Sequence, residues 1–564
     1  MMARQCLAVI YTAIALWLAA YGMNALILAL LYMHHAREDR RAHGGPPGAR
    51  WPARRPATTR RDGCPRKTVY DLGTSSTRIA GEKVASSGRE TGHKEGEPAL
   101  RRQQAGHRSL LFTDQGRGVP GALPTVTIQV PVYNERHVIS RAIDAVASLD
   151  YPRDRLYIQI LDDSTDDTTS LAIQRAAFHR RRGLDIEVLH RVNRRGFKAG
   201  ALAWGLEQAR GDTIAIFDAD FRPHPDFLLQ TVPHFLDRPR LGIVQVRWSH
   251  LNADHSALTR AQAVVFDGHF VVEQTARDRS GLLMNFNGTA GVWRKACIEE
   301  SGGWDADTLS EDLDLSYRAQ LAGWETLYLP QIDAPAELPP QIAAFKRQQA
   351  RWAQGSVQAL RKLAGRIVRS RRLSVVQKGM ALLHLSGYLA HALMVLLLLV
   401  TLPLLLLGVA PPAPGNLGLL MGLGPPLVYV ISQQQLYSDW GRRLLSFPLL
   451  ILVGIGTAWN NTLAVWRGLT RWGGTFARTP KFRVEDESGS GAAHWLSSAY
   501  RLGMDKGVVG EVALSFYALL STVIAYRAGR YGMMPFLFLC VAAFTTVATM
   551  ELVQASRPRH SSAR

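Results

Sequence analysis

Apolar residues are unevenly distributed along the 564-residue chain. One run, CLAVIYTAIALWLAAYGMNALILALLYM, fills residues 6–33, and others recur at about 385–410, 417–436, 444–466, 508–527 and 533–553. A helix needs ~20 such residues to cross the hydrocarbon core, where every backbone amide must be satisfied internally. The pattern therefore predicts one membrane helix before, and a membrane region after, a soluble middle. A cleaved signal peptide has a shorter apolar stretch ending at a small-residue site, so 6–33 reads as an anchor.

Between Thr125 and residue 220 the pattern switches to short apolar runs alternating with amphipathic ones. VTIQVPV, LYIQIL, IEVLHRV and TIAIF read as strands, and the segments between them read as helices or polar loops. Successive βα units predict an α/β domain with a mostly parallel sheet. In such sheets ligands bind beyond the carboxyl ends of the strands. PVYNE, DDSTDD and DAD each follow a strand directly, so all three are expected at one crevice.

Charge adds a location. The formal net charge is +20, and residues 35–118 hold 18 Lys/Arg against 9 Asp/Glu directly after the first apolar run. This is the positive-inside pattern and places that side of the helix in the cytosol. The same stretch is rich in Gly, Pro, Ser and Arg, has no periodicity, and reads as a disordered basic linker beside anionic lipid rather than a nucleic-acid site. The expected division is a membrane helix (1–34), linker (35–118), cytosolic catalytic domain (119–370), membrane region (371–553) and basic tail (554–564). Three full crossings between 385 and 466 would put the basic segment 467–507 outside. One of those three runs is therefore expected to be interfacial or re-entrant, giving five crossings with six as the alternative count. Cys6, Cys64, Cys297 and Cys540 show no metal or disulfide spacing and read as small hydrophobes.

Several residues are candidates for chemistry. Asp218 and Asp220, two apart after a strand, can hold Mg2+ or Mn2+ together with substrate phosphates; alone, an Asp-x-Asp is equally a solvated loop. Asp162 and Asp163 could accept hydrogen bonds from a base or ribose, while they, Ser164, Thr165 and Asp166 could also cap the next helix. Lys198 stands at a loop-to-helix junction suited to diphosphate, or is simply solvated. Glu311 and Asp312 suit the first turn of a helix by its dipole, or Asp312 is a base. Gln348, Arg351 and Trp352 lie within little more than one helical turn, where Arg can reach phosphate and Trp can stack on a sugar.

Taken in order, PVYNE, LDDSTDDT, FKAGAL, FDADF, SED and QQARW resemble the processive family 2 glycosyltransferases, the group of cellulose, chitin and mannan synthases. FNGTAGVWR and SEDLDLSYRAQLAGWETLYLP look most like glucomannan β-mannosyltransferases and their xyloglucan-backbone relatives. The resemblance implies a GT-A, Rossmann-like fold. It implies that Pro131, Tyr133, Glu135, Asp162, Asp163, Lys198 and Asp218 serve the nucleotide sugar, and that Asp218 and Asp220 hold the metal. Asp312, beside Glu311, would be the base, although Ser310 stands where many relatives have Thr. Asn287, Gly288, Thr289, Gln348, Arg351 and Trp352 would serve acceptor and diphosphate. TFARTPKF, within 473–491, resembles a gating loop and implicates Arg478, Thr479 and Lys481; otherwise it is a basic interfacial loop.

The expected activity is inverting transfer of a hexose from GDP-mannose or a glucose nucleotide to a β-1,4-linked polysaccharide in the membrane. The alternative is a single transfer making a glycolipid. A third reading, a basic nucleic-acid or lipid-surface binder with an inactive fold, is disfavoured because all the acidic positions are present.

Overall fold

The computed structural model describes residues 2–43, 123–409, 422–484, 498 and 500–556. The linker beyond residue 43, Cys64, the loop residues 485–491 and the tail beyond 556 lie outside them. The first helix, α1 (Met2–His43), runs nine residues past the expected boundary at 34. Its last turns are polar but contain good helix formers, so the helix outlasts the apolar pattern.

The soluble part opens with β1 (Val126–Val132), α2 (Ile139–Ala147), β2 (Leu156–Asp162), α3 (Thr168–Arg180), β3 (Ile186–His190), α4 (Phe197–Glu207) and β4 (Thr213–Ile216). β5 (Leu241–His250), β6 (Gly291–Arg294) and β7 (Glu325–Ala336) complete a seven-stranded sheet of order β3-β2-β1-β4-β6-β5-β7. β1 is parallel to both β2 and β4, and β2 to β3, as the alternation predicts. β6 runs antiparallel to β4 and β5, which makes the sheet mixed.

Strand side chains alternate between two cores, as a period of two requires. Ile214 and Ile216 join Leu161, Phe286 and Trp293 on one face, whereas Ala215 and Phe217 join Val126, Ile128, Val130 and Val244 on the other. Parallel register, with Val132 opposite Asp162, brings the polar segments after β1 and β2 to one edge.

Four helices among the described residues are long and apolar enough to cross a membrane: Arg4–Glu38, Leu389–Leu406, Val508–Arg527 and Tyr531–Ser556. Trp440–Gly456 and Ala458–Thr470, bent by 42°, form a fifth if they are one broken span. The described part of the 417–436 run, Gly424–Leu436, is only 13 residues long. Its Val428 packs with Leu28 and Ala29 of α1 and with Val271 and Val272 of the soluble part. Of the cysteines, Cys297 and Cys540 are buried as expected, but Cys6 is exposed on α1.

Candidate active site

One pocket gathers most of the residues singled out above. Pro131, Tyr133, Glu135, Asp163, Lys198, Asp218 and Asp220 line it from the strand ends. Asn287, Gly288, Glu311, Asp312, Gln348, Arg351, Trp352, Arg478, Thr479 and Lys481 complete the wall. Asp162 and Thr289 stand behind it. Asp162 is fully buried and accepts from Ser164 N (3.0 Å), Thr169 Oγ1 (2.6 Å) and His190 Nδ1 (2.8 Å). Thr289 Oγ1 accepts from the backbone N–H of Asp218 (2.9 Å) and so fixes the turn that carries it. Asp163 reaches the pocket but is clamped by both Nε and Nη2 of Arg191. Asp166 Oδ1 accepts from Thr168 N (3.0 Å), so it is the acid that satisfies the start of α3.

Lys198 is the electrostatic hub. Its Nζ donates to Asp218 Oδ1 (2.6 Å) and Gly288 O (2.9 Å) and lies 4.0 Å from Glu311 Oε1. The approach is close enough to exclude a side chain at residue 288. Gly288 has φ +80°, and a Cβ there would meet Asp312 Oδ2 at 2.7 Å and Lys198 Nζ at 3.4 Å. Glu311 and Asp312 occupy the first turn of the helix Glu311–Ala322, as expected. Burial pushes the carboxyl of Asp312 above the ordinary range; the Lys198 charge opposes this and Asp218 adds to it. Glu311 is also raised, first by burial and then by Asp312.

The segment after residue 474 lies over this wall. Lys481 Nζ donates to Asp220 Oδ2 (2.6 Å) and Glu337 O (3.0 Å), while the Glu337 carboxylate accepts from the backbone N–H groups of Phe482 (2.8 Å) and Arg483 (2.9 Å). Arg478 Nε reaches Glu135 Oε1 at 3.2 Å. Burial raises the Glu135 carboxyl to about 7 despite the Arg478 charge. This ion pair is therefore present above about pH 7 and lost below it. On the other side, the helix Ile342–Arg369 sets Arg351 4.4 Å from the Phe476 ring centroid and Trp352 edge-on to Phe266 at 5.8 Å.

Asp218 and Asp220 supply two carboxylates in the pocket wall, each compensated by one ammonium group. Oxygen donors of this kind, with flanking cations for a diphosphate, fit a hard divalent ion such as Mg2+ or Mn2+.

Sequence reasoning missed Arg194, whose guanidinium lies 3.3 Å from the Tyr133 ring centroid, and Glu337, His250 and Phe476, all in the pocket wall. Arg194 lies three residues before the FKAGAL segment. Glu337 follows β7 and His250 ends β5, both outside any motif, and only tertiary structure brings them in.

The chain thus has a GT-A-like mixed α/β fold with an acid-lined pocket at its strand ends. This part of the chain, residues 124–355, matches the glycosyltransferase-like family 2 profile. It is 42% identical over 273 residues to the probable glucomannan 4-β-mannosyltransferase 7 of Oryza sativa subsp. japonica, covering 48% of this chain and 46% of that protein. It is likewise 42% identical over 259 residues to glucomannan 4-β-mannosyltransferase 7 of Arabidopsis thaliana, covering 45% and 47%. The chain thus spans about half the length of these relatives. A solved mannosyltransferase from Pyrobaculum calidifontis, in complex with GDP-Man and Mn2+, superposes with a TM-score of 0.44 at 23% identity, covering 62% of this chain and 88% of that one.

Proposed function

We propose that the protein transfers a hexose, with inversion, from a nucleotide sugar to a growing β-1,4-linked polysaccharide at the membrane, with its catalytic domain in the cytosol. Mannose from GDP-mannose is the first donor to test, and a glucose nucleotide the second. The observation that carries this reading is one pocket holding an acid pair with compensating lysines, a separate half-buried carboxylate at Asp312, and aromatic side chains in the same wall. Buried polar atoms without partners among the described residues belong to the same wall: Arg478 Nη2, Thr479 Oγ1 and Gln348 Oε1. Such groups call for a ligand or water, and a diphosphate with an attached sugar offers both donors and acceptors to match them.

In this reading Asp218 and Asp220 hold a divalent ion that offsets charge on the departing diphosphate. Lys198, Arg351 and the Arg478–Lys481 segment surround the same phosphates, and Trp352 orients the acceptor ring. Asp312 takes the proton from the attacking hydroxyl. One base suffices for a single inversion. Protein in lipid nanodiscs, given GDP-mannose or UDP-glucose with Mn2+, is expected to make an insoluble polymer whose linkage analysis shows 1,4-linked residues. EDTA should abolish synthesis and Mn2+ restore it. A chloroform-soluble product carrying one sugar overturns the polymer reading in favour of a glycolipid.

A pH dependence follows from the buried base. Asp312 must be ionised to accept a proton, and its carboxyl lies above the ordinary range. Turnover should therefore fall on acidification at a pH above that of an ordinary Asp, ~3.9. The pH profile of kcat at saturating donor measures this; an acid limb at or below pH 4 would contradict it.

A further inference from the structure

His250 ends β5, and its side chain is only 3% exposed, yet its ring lines the pocket. One ring nitrogen is committed. Nε2 stands 3.2 Å from Asp267 Oδ1, and the other carboxylate oxygen, Oδ2, accepts from Gln433 Nε2 at 2.9 Å. Burial alone would raise the Asp267 carboxyl, but the hydrogen bonds from His250 and Gln433, helped by the Arg247 charge, hold it below the ordinary range. A carboxylate in that position requires a donor, so Nε2 carries a proton. Nδ1 has no hydrogen-bond partner among the described residues and is the ring nitrogen left to meet a ligand in the pocket that the ring lines.

Its surroundings say what that ligand group would be. Trp248, two residues earlier on the same face of β5, lines the pocket with its indole N–H unpartnered among the described residues. Phe266 stands 6.0 Å from the His250 ring, 6.1 Å from Trp248 and 5.8 Å from Trp352 by ring centroids. Flat apolar rings around one fixed polar nitrogen suit a saccharide, which presents axial C–H faces to aromatics and hydroxyls to a ring nitrogen. Gln433 belongs to the helix Gly424–Leu436, which packs against α1, so the hold on Asp267 and His250 reaches that helix pair.

We propose that His250 is an acceptor-positioning residue: its Nδ1 hydrogen-bonds a hydroxyl of the acceptor saccharide within the Trp248–Phe266–Trp352 box, with Asp267 and Gln433 fixing the ring. The inference rests on the glycosyltransferase reading and adds to it a polar contact on the acceptor side, separate from the base and the metal pair.

The test is binding and kinetics on the full chain in nanodiscs, with β-1,4-mannotetraose and cellotetraose as acceptor probes and GDP and UDP as donor-side probes. H250F keeps the ring volume and removes Nδ1, whereas H250Q can donate to Asp267 and still present an oxygen to the pocket. H250F is expected to weaken binding of the better tetraose, and raise its KM, about tenfold, the scale of one hydrogen bond. Nucleotide affinity should stay within about threefold of wild type, and H250Q should recover most of the loss. Equal tetraose affinity in wild type and H250F overturns the proposal, as does a parallel loss of nucleotide binding that H250Q fails to restore. If wild-type protein neither binds a nucleotide nor transfers sugar, the glycosyltransferase reading itself fails; transfer that persists with no tetraose binding refutes only the acceptor contact.

Discussion

Asp312→Asn should lower kcat by about 10²–10⁴-fold while nucleotide affinity stays within about threefold of wild type. Asn is isosteric with Asp, so it can keep the close approach to Gly288, where an added Cβ would lie 2.7 Å from Asp312 Oδ2. It can also keep accepting from the backbone N–H of Leu313, now 2.8 Å from Oδ1. What it cannot do is take a proton from an attacking hydroxyl. Glu311→Gln is the control, because Glu311 lies in the same turn and 4.0 Å from Lys198 Nζ but is the more enclosed of the pair. If Glu311 only tunes charge around Lys198, its amide variant should lose much less turnover. Single-turnover sugar transfer by the two variants, with nucleotide titrations to check integrity, measures the difference. A D312N protein retaining more than a tenth of wild-type turnover would remove Asp312 as the base.

The site was legible in the sequence where chemistry follows a strand directly. TIAIF running into DADF brings Asp218 and Asp220 to the pocket because they directly follow a strand buried on both faces, and the order of βα units decides at which edge it ends. The same logic over-reached at Asp162. That residue is still within β2, and its carboxylate turns inward to Ser164, Thr169 and His190 rather than outward to the pocket. Adjacent acids at a strand end point to opposite sides, and no local pattern says which one faces the ligand. Contacts of long sequence separation were beyond reach for another reason. Lys481 meets Asp220 across 261 positions, and Glu337, which anchors that same segment through Phe482 and Arg483, carries no motif. The hydrophobic runs gave the membrane helices but missed the 42° break after Gly456, where Thr457 Oγ1 bonds back to Val453 O (2.9 Å) and Gly454 O (3.2 Å). Such back-bonding bends helices and leaves hydropathy unchanged.

Lys346→Met is expected to be the most destabilising single change outside the pocket, by about 3–5 kcal/mol, through a charge cluster that no motif announced. Lys346 is 1% exposed, and its ammonium stands 2.6 Å from Glu511 Oε1 and 2.7 Å from Glu551 Oε2. The two carboxylates come from the helices Val508–Arg527 and Met534–Ser556, so one lysine joins the soluble helix Ile342–Arg369 to both. Glu551 Oε1 also accepts from Asp505 N (2.6 Å), and Asn460 Nδ2 donates to Lys346 O (2.9 Å), drawing a third membrane-region helix into the cluster. Removing the ammonium leaves two buried carboxylates facing each other without a cation. The loss exceeds that of the pair interaction itself because the stranded charges keep their desolvation cost. Thermal unfolding in nanodiscs should show K346M well below wild type, with E511Q added to K346M recovering a substantial part of the loss, since one stranded charge is then removed. A double mutant no more stable than K346M would mean that packing, not charge, dominates at this position. Because Gln348, Arg351 and Trp352 lie within the next two turns of the same helix, the cluster also sets how that wall of the pocket meets the apolar helices. A K346M protein that stays folded at low temperature should therefore show weakened acceptor use before it shows weakened nucleotide binding.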